Sequence, residues 1–338
     1  MRYKLLGNTG VRVSELALGT ANFGTQWGHG ATFEESLRIL EAYEEAGGNF
    51  LDTADVYQFG QSEQYLSKAL EGRRDRFLLA SKYTYGAQPT PGRLSTGNSR
   101  RAMIASVEAS LKRLSTDRID LLWVHNPDGL TPTEEIVRGL DDLSRAGKII
   151  YAGLSNFSAW RLARAATLAE LTRALPIAAA QFEYSLVHRE PEADVLEVCQ
   201  ALNIAPVTWS PLGGGVLTGK YRKGETGRAE GLGGKVFQAE NSEKRTATVD
   251  AVLAIASELQ VTPDQVGIAW VLSRGTIPLI GPRNLEQCRN NLGATALALS
   301  PDQLAALEAA SGKGDDDKPA TAAGLDLTDT SLPLRPVA

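Results

Sequence analysis

The chain has 338 residues, of which 43% are hydrophobic, 22% charged and 7% aromatic, enough apolar material for a large core and unlike the apolar-poor composition of a disordered chain. Its net charge of −5 argues against a general binder of nucleic acid or anionic membrane, because both surfaces repel an acidic protein. Cys199 and Cys288 are too few for a disulfide framework and lack metal-ligand spacing, so they read as half-buried thiols in a reducing compartment, with no metal. The N-terminus MRYKLLGNTG has no apolar signal core, and no run approaches the ~20 apolar residues that span a bilayer, so the expected location is cytoplasmic.

In chain order, residues 3–14 (YKLLGNTGVRVS) alternate apolar and polar around Gly7–Asn8–Thr9–Gly10 and predict a β-hairpin. Eight short apolar runs follow, at 16–19, 48–52, 77–82, 119–125, 149–153, 178–181, 205–210 and 277–281. Between them lie stretches with apolar residues at three- and four-residue spacing, among them 34–46, 99–114, 133–146, 192–202, 246–259 and 264–273. Thr32, Thr131–Pro132 and Thr262–Pro263 mark helix starts.

Strand then helix, repeated with short connections, requires parallel strands, because each helix returns the chain to the same edge. Eight such units predict a (β/α)8 TIM barrel with the N-terminal hairpin plugging its bottom. An open doubly wound sheet would be announced by G-x-G-x-x-G after the first strand; residues 17–24 read ALGTANFG instead. Residues 213–245, rich in Gly, Lys and Arg, predict a long loop after strand 7. The barrel is expected to occupy residues 1–311, and the weakly periodic stretch 312–338 to form a flexible tail.

In a parallel barrel the strand C-termini share one face, and sites are built there. The polar residues closing the runs are Asp52, Lys82, His125, Ser155 with Asn156, Gln181 and Ser210, and Tyr57 lies in the loop after Asp52. An ammonium closing an apolar strand is costly without an anion, which Asp52 on the neighbouring strand supplies. A tyrosine beside that ammonium has its phenolate favoured, lowering a pKa of ~10 and making Tyr57 a candidate general acid. His125 can donate to a carbonyl oxygen at the same spot. Asp55 reads as a loop carboxylate that shapes the turn, as does Thr53.

The segments LDTADVY (51–57), SKY (81–83), LLWVHNPD (121–128), GLSNFS (153–158), QFEYS (181–185), WSPLGGGVLTGKY (209–221) and IPLIGPRNLEQCRNNLGA (277–294) resemble, in order and spacing, the aldo-keto reductase superfamily, from about residue 2 to about residue 311. The resemblance implies a catalytic tetrad of Asp52, Tyr57, Lys82 and His125. It implies NADPH, less readily NADH, as cofactor: Gly19, Thr20, Ala21 and Asp52 beside it, Ser155, Asn156 and Gln181 on the nicotinamide carboxamide, and Trp209 stacked on the ring where many members have Tyr. Ser210, Pro211, Leu212, Gly213, Gly214 and Lys220 would meet the pyrophosphate. Gly281, Arg283, Asn284, Gln287 and Asn291 would meet the adenosine end, Arg283 facing the 2′-phosphate. Trp27, Phe59, Tyr85 and Asn126 are candidate substrate contacts, Asn126 making that wall more polar than in many members.

The implied activity is reduction of a small-molecule aldehyde or ketone to an alcohol, hydride coming from the nicotinamide and the proton from Tyr57. Two rival readings use the same residues: a lyase with Lys82 as Schiff-base nucleophile, and a non-catalytic, redox-sensing NADP(H)-binding subunit.

Overall fold

The computed structural model describes residues 1–223 and 239–312, so the expected tail from 313 onward and loop residues 224–238 lie outside the described residues. The chain opens with a hairpin of β1 (Tyr3–Leu5) and β2 (Arg12–Ser14), Tyr3 opposite Ser14 and Leu5 opposite Arg12. The first half of the barrel follows: β3 (Ala17–Gly19), α1 (Phe33–Glu45), β4 (Phe50–Asp52), α2 (Gln61–Ala69), β5 (Leu78–Tyr83), α3 (Arg100–Leu114), β6 (Ile119–Val124) and α4 (Thr133–Arg145). The second half is β7 (Ile149–Ser155), α5 (Ala159–Thr172), β8 (Ile177–Glu183), α6 (Val195–Ala201), β9 (Ala205–Trp209), α7 (Glu243–Leu259), α8 (Pro263–Ser273), β10 (Ile277–Ile280), α9 (Leu285–Gly293) and α10 (Pro301–Ser311). Strands β3 to β10 pair in parallel in chain order, and β10 closes on β3.

Every predicted run forms a strand, and the two-residue period of those strands sorts the core into layers. Ala17, Phe50, Leu78 and Ala80, Leu121 and Trp123, Ala179, Ala205 and Val207, and Ile277 and Leu279 form one buried cluster inside the barrel. Their strand neighbours, such as Leu18, Leu51, Leu79, Leu122, Leu154, Ala180 and Ile280, pack outward in the cluster that includes helix residues such as Leu40, Leu111 and Leu140.

Leu6 and Val13 of the hairpin join the inner cluster, which seals the bottom of the barrel as expected. Gly7 makes this seal: at φ 56 its backbone lies so close to the starts of β8 and β9 that a Cβ would stand 2.3 Å from the Ala178 carbonyl. Lys4 donates to the Thr276 carbonyl just before β10 (2.9 Å).

Helix starts follow the sequence signals unevenly. Thr32 Oγ1 accepts from Glu35 N (3.3 Å), whereas Pro132 and Thr262 flank their helices without a side-chain cap bond. Helix α7 begins at Glu243 instead of 246, because Ser242 Oγ accepts from Arg245 N (3.3 Å). Both thiols are fully buried, not half-buried, and burial pushes each pKa up to about 12. Among the described residues no helix is long and apolar enough to cross a membrane.

The inner layer leaves no slack beside Trp123, since a Cβ on Gly153 would lie 2.3 Å from its ring. Gly153→Ala should therefore force Trp123 to move and cost about 1–3 kcal/mol, as overpacked cores do, measured by urea unfolding.

Candidate active site

Strand parity aims the polar residues. Asp52 follows Phe50, Lys82 follows Ala80, His125 follows Trp123, Gln181 follows Ala179 and Trp209 follows Val207, so each continues an inward-facing row at the C-terminal mouth of the barrel.

The side chains meet there. Lys82 and Asp52 form a fully buried ion pair through Nζ and Oδ1. Lys82 Nζ also donates to the Thr53 carbonyl (3.0 Å) and to Tyr57 Oη (3.1 Å), while Asp52 Oδ2 accepts from Gln181 Nε2 (3.0 Å). All three ammonium hydrogens and both carboxylate oxygens thus have partners, which is what burial of the pair demands.

Burial alone would depress the Lys82 pKa, but Asp52 and Tyr57 more than offset it and raise it above the ordinary lysine value. A lysine held as an ammonium offers no free amine, which counts against the Schiff-base reading. Burial, with the nearby Lys82 charge, holds His125 well below the ordinary histidine value, so its imidazole is neutral. Its Nδ1 is buried without a hydrogen-bond partner.

The four substrate candidates converge less evenly. The Trp27 ring meets Tyr57 (centroids 6.1 Å) and Phe59 (6.3 Å) edge to face, and His125 lies between Tyr57 (5.8 Å) and Tyr85 (5.0 Å). Trp27 therefore packs on Tyr57 and Tyr85 on His125, with Phe59 one ring further out against Trp27. Half-buried Asn126 points its Nδ2 toward its neighbour's Pro127 carbonyl (3.4 Å), and its own carbonyl accepts from Asn98 Nδ2 (2.8 Å).

Several cofactor candidates stand together. Asn156, at φ 62, donates from Nδ2 to the His125 carbonyl (3.0 Å) and Ser155 Oγ (3.1 Å), and its Oδ1 accepts from Trp209 Nε1 (3.0 Å). Ser210, at φ 59, leads past Pro211 and Leu212 into Gly213, Gly214 and Gly215 at φ 57, 67 and 96, and its Oγ accepts from Gly214 N (2.9 Å). Within this cradle Gly213 N donates to the Ser210 carbonyl (2.9 Å) and Gly215 N to the Leu212 carbonyl (2.9 Å), so its amides are engaged inside the turn, while the absence of side chains leaves its backbone approachable. A Cβ on Gly215 would fall 2.8 Å from Lys220 Cε, so Lys220 lies against this cradle.

Other candidates serve the scaffold. Beyond Gly19, Thr20 is buried and donates through N (2.9 Å) and Oγ1 (3.1 Å) to the Asp52 carbonyl; the Ala21 carbonyl accepts from Gln58 Nε2 (3.1 Å). Asn284 caps α9 by accepting from Gln287 N (2.9 Å), and Gln287 Oε1 accepts from Arg283 N (2.9 Å). Asn291 is buried and donates to Asp264 Oδ2 (2.7 Å), and the Gly281 carbonyl accepts from Asn22 Nδ2 (2.8 Å).

Two residues given no chemical role by the sequence matter here. Gln58, fully buried at φ 51, accepts from Trp27 N (2.9 Å) and donates to the Ala21 and His29 carbonyls, fixing the loop that carries Trp27. Asp55, expected to be a loop carboxylate that shapes the turn, lies in the loop after β4 and is fully buried. Nothing in the sequence marks Gln58 as the anchor of the loop that carries Trp27.

At the mouth of this parallel eight-stranded barrel stand an ammonium paired with a carboxylate, a phenol and a neutral imidazole, groups that can hold or pass a proton. The model of the Aldo/keto reductase family matches residues 15–311. The uncharacterized oxidoreductase YrpG of Bacillus subtilis (strain 168) is 35% identical, over 90% of this chain and 94% of its own length. A putative aryl-alcohol dehydrogenase of Saccharomyces cerevisiae is 32% identical over 91% and 86%, and the aldo-keto reductase yakc [NADP(+)] of Schizosaccharomyces pombe 34% over 84% and 85%. The chain belongs to the aldo-keto reductase family, and it is an oxidoreductase.

Removing one member of a buried ion pair strands the other. Asp52→Leu should cost about 3–5 kcal/mol in urea unfolding, and Asp52→Leu combined with Lys82→Met should recover most of that loss.

Proposed function

We propose that the protein is an NADPH-dependent carbonyl reductase acting on aromatic aldehydes or ketones, with Tyr57 as proton donor. The observation that carries this reading is the hydrogen bond from Lys82 to Tyr57 Oη: the phenol oxygen accepts from the ammonium, so its own hydrogen is free to pass to a substrate oxygen.

The residues present fit the dinucleotide. The glycine cradle after Ser210 lets a pyrophosphate approach the backbone, with Lys220 against it to supply positive charge; the Asn156 and Gln181 amides with Ser155 suit the carboxamide; and Trp209 offers an indole face. Arg283, directly before the Asn284 cap of α9, supplies a guanidinium for a 2′-phosphate, a group NADH lacks. The relative named for NADP(+) supports the same choice.

NADPH, when bound by these residues, would supply the hydride for the carbonyl carbon. Tyr57 gives its proton to the carbonyl oxygen, and the Lys82 ammonium stabilises the phenolate that remains until water reprotonates it. Neutral His125 donates one N–H to the same oxygen and orients it. Trp27, Phe59 and Tyr85 present ring faces and edges that suit a planar aromatic substrate, in keeping with the aryl-alcohol name of the yeast relative.

Tyr57→Phe should lower kcat for an aromatic aldehyde by about 10²–10⁴ while NADPH still quenches tryptophan fluorescence with nearly unchanged affinity. Unchanged turnover rules out Tyr57 as the donor; tight NADPH binding by wild type with no turnover on any carbonyl compound favours the sensing-subunit reading. Arg283→Ala should weaken NADPH by about 10- to 100-fold, the worth of a charge-assisted hydrogen bond, and leave NADH almost unaffected. Equal losses for the two cofactors would count against recognition of the 2′-phosphate.

A further inference from the structure

We propose that Asp55 is a positioning residue for the reaction: its carboxylate ties the loop that carries Tyr57 to the loop that carries Tyr85, and so holds both phenols in place around His125. The inference rests on the reading of Tyr57 as proton donor.

Asp55 Oδ2 accepts from Gly86 N (3.1 Å) and from Ser106 Oγ of α3 (2.9 Å), and its backbone N donates to the Lys82 carbonyl (3.0 Å). Tyr57 lies two residues on, and Tyr85 immediately precedes Gly86. One buried side chain therefore joins the Tyr57 loop, the Tyr85 loop and α3, with its own backbone on the strand of Lys82. The other oxygen, Oδ1, is buried without a partner.

The charged groups facing Asp55 are Glu63 of α2 and Arg113 of α3; the neighbouring phenols Tyr83 and Tyr85 also sense its charge. Arg113 is engaged by Glu63 Oε2 (2.6 Å), and Glu63 Oε1 accepts from Ser81 Oγ (2.6 Å), so among the described residues no cation forms an ion pair with Asp55. Burial, then the Glu63 charge, push its pKa up to about 7, against the opposing pull of Ser106, Arg113 and Gly86.

The sign follows. Above about pH 7 the ionised carboxylate grips Gly86 N–H and Ser106 Oγ–H with charge-assisted bonds; below it the proton settles on Oδ1, and Oδ2 accepts only as a neutral oxygen. For stability the direction is opposite. A carboxyl whose folded pKa exceeds the unfolded value of ~3.9 contributes most below that value and loses its contribution as pH rises through the folded pKa. Asp55 thus tightens the site over the same pH range in which its charge strains the fold, a combination that a purely structural carboxylate does not produce.

The test uses the full chain, with kcat, KM, NADPH affinity and Tm of wild type, Asp55→Asn and Ser106→Ala measured between about pH 5 and 9. Wild-type kcat should rise through an inflection near pH 7 that Asp55→Asn lacks. The asparagine variant should have kcat lowered roughly tenfold at high pH, the scale of a small misplacement of a reacting group, with NADPH affinity unchanged. Its Tm relative to wild type should improve as pH rises. Ser106→Ala, which removes one donor from Oδ2, should move the inflection to higher pH. An inflection that persists in Asp55→Asn, one that Ser106→Ala leaves in place, or a loss in Asp55→Asn that is equal at every pH would overturn the proposal. Tyr57→Phe assayed alongside separates the two failures: full activity in that variant sinks the proton-donor reading itself, whereas an inactive Tyr57→Phe with a null result at Asp55 sinks only this inference.

Discussion

The buried pair of Lys82 and Asp52 is the constraint from which the site is organised. Two charges taken out of water need every hydrogen and lone pair accounted for, and the surroundings supply them: Thr53 and Tyr57 to the ammonium, Gln181 to the carboxylate. Those partners come from β4 and its following loop and from β8, so satisfying the pair also draws the barrel mouth together. The same ammonium adds to burial in keeping His125 neutral. One charge therefore reinforces the neutral state that burial gives a neighbouring imidazole and fixes the direction of the hydrogen bond to Tyr57.

Around this pair the backbone is strained, and the strain is localised. Nine non-glycine residues among those described have positive φ. Ser115, Arg173 and Gln260 close helices in the left-handed conformation, and Asn203 follows the end of α6, positions where such geometry is ordinary. Gln58, Phe59, Thr84, Asn156 and Ser210 do not close helices; they sit in the loops after β4, β5, β7 and β9. Each is held by specific bonds, such as Thr84 Oγ1 to Asn98 Oδ1 (2.7 Å) and Trp209 Nε1 to Asn156 Oδ1 (3.0 Å). The barrel over-determines these loops, which is how uncommon backbone angles persist where chemistry is placed.

What the sequence revealed follows from what is periodic. The eight strands are legible because buried runs of four to eight apolar residues bounded by breakers have few other uses, and Asp52, Lys82, His125 and Gln181 are legible because they close such runs. Capping was half legible: Thr32 caps its helix and Thr262 does not, a difference that the residue type alone does not encode. α10, with its Ser300–Gln303 capping box, carried a readable start. Gln58, Asn98 and Asp55 were not legible, because each acts between loops whose separation depends on φ and ψ. The same reason explains why Thr20, Asn284, Gln287 and Asn291, chosen by motif position, hold their own scaffold in this structure.

The stretch LDTADVY contains two buried acids three residues apart with opposite surroundings. Asp52 lies against an ammonium; Asp55 meets only an N–H and a hydroxyl, while the nearest guanidinium is taken by Glu63. An apolar residue at 55 could fill the volume without the cost of burying a carboxylate, but it could not accept from Gly86 and Ser106 at once. Retaining an acid there trades stability for a defined distance between two loops, and those loops carry the two phenols that pack on His125. Divergent environments for neighbouring carboxyls are how one short motif can hold both a permanent counter-ion and a group poised to change charge near neutral pH.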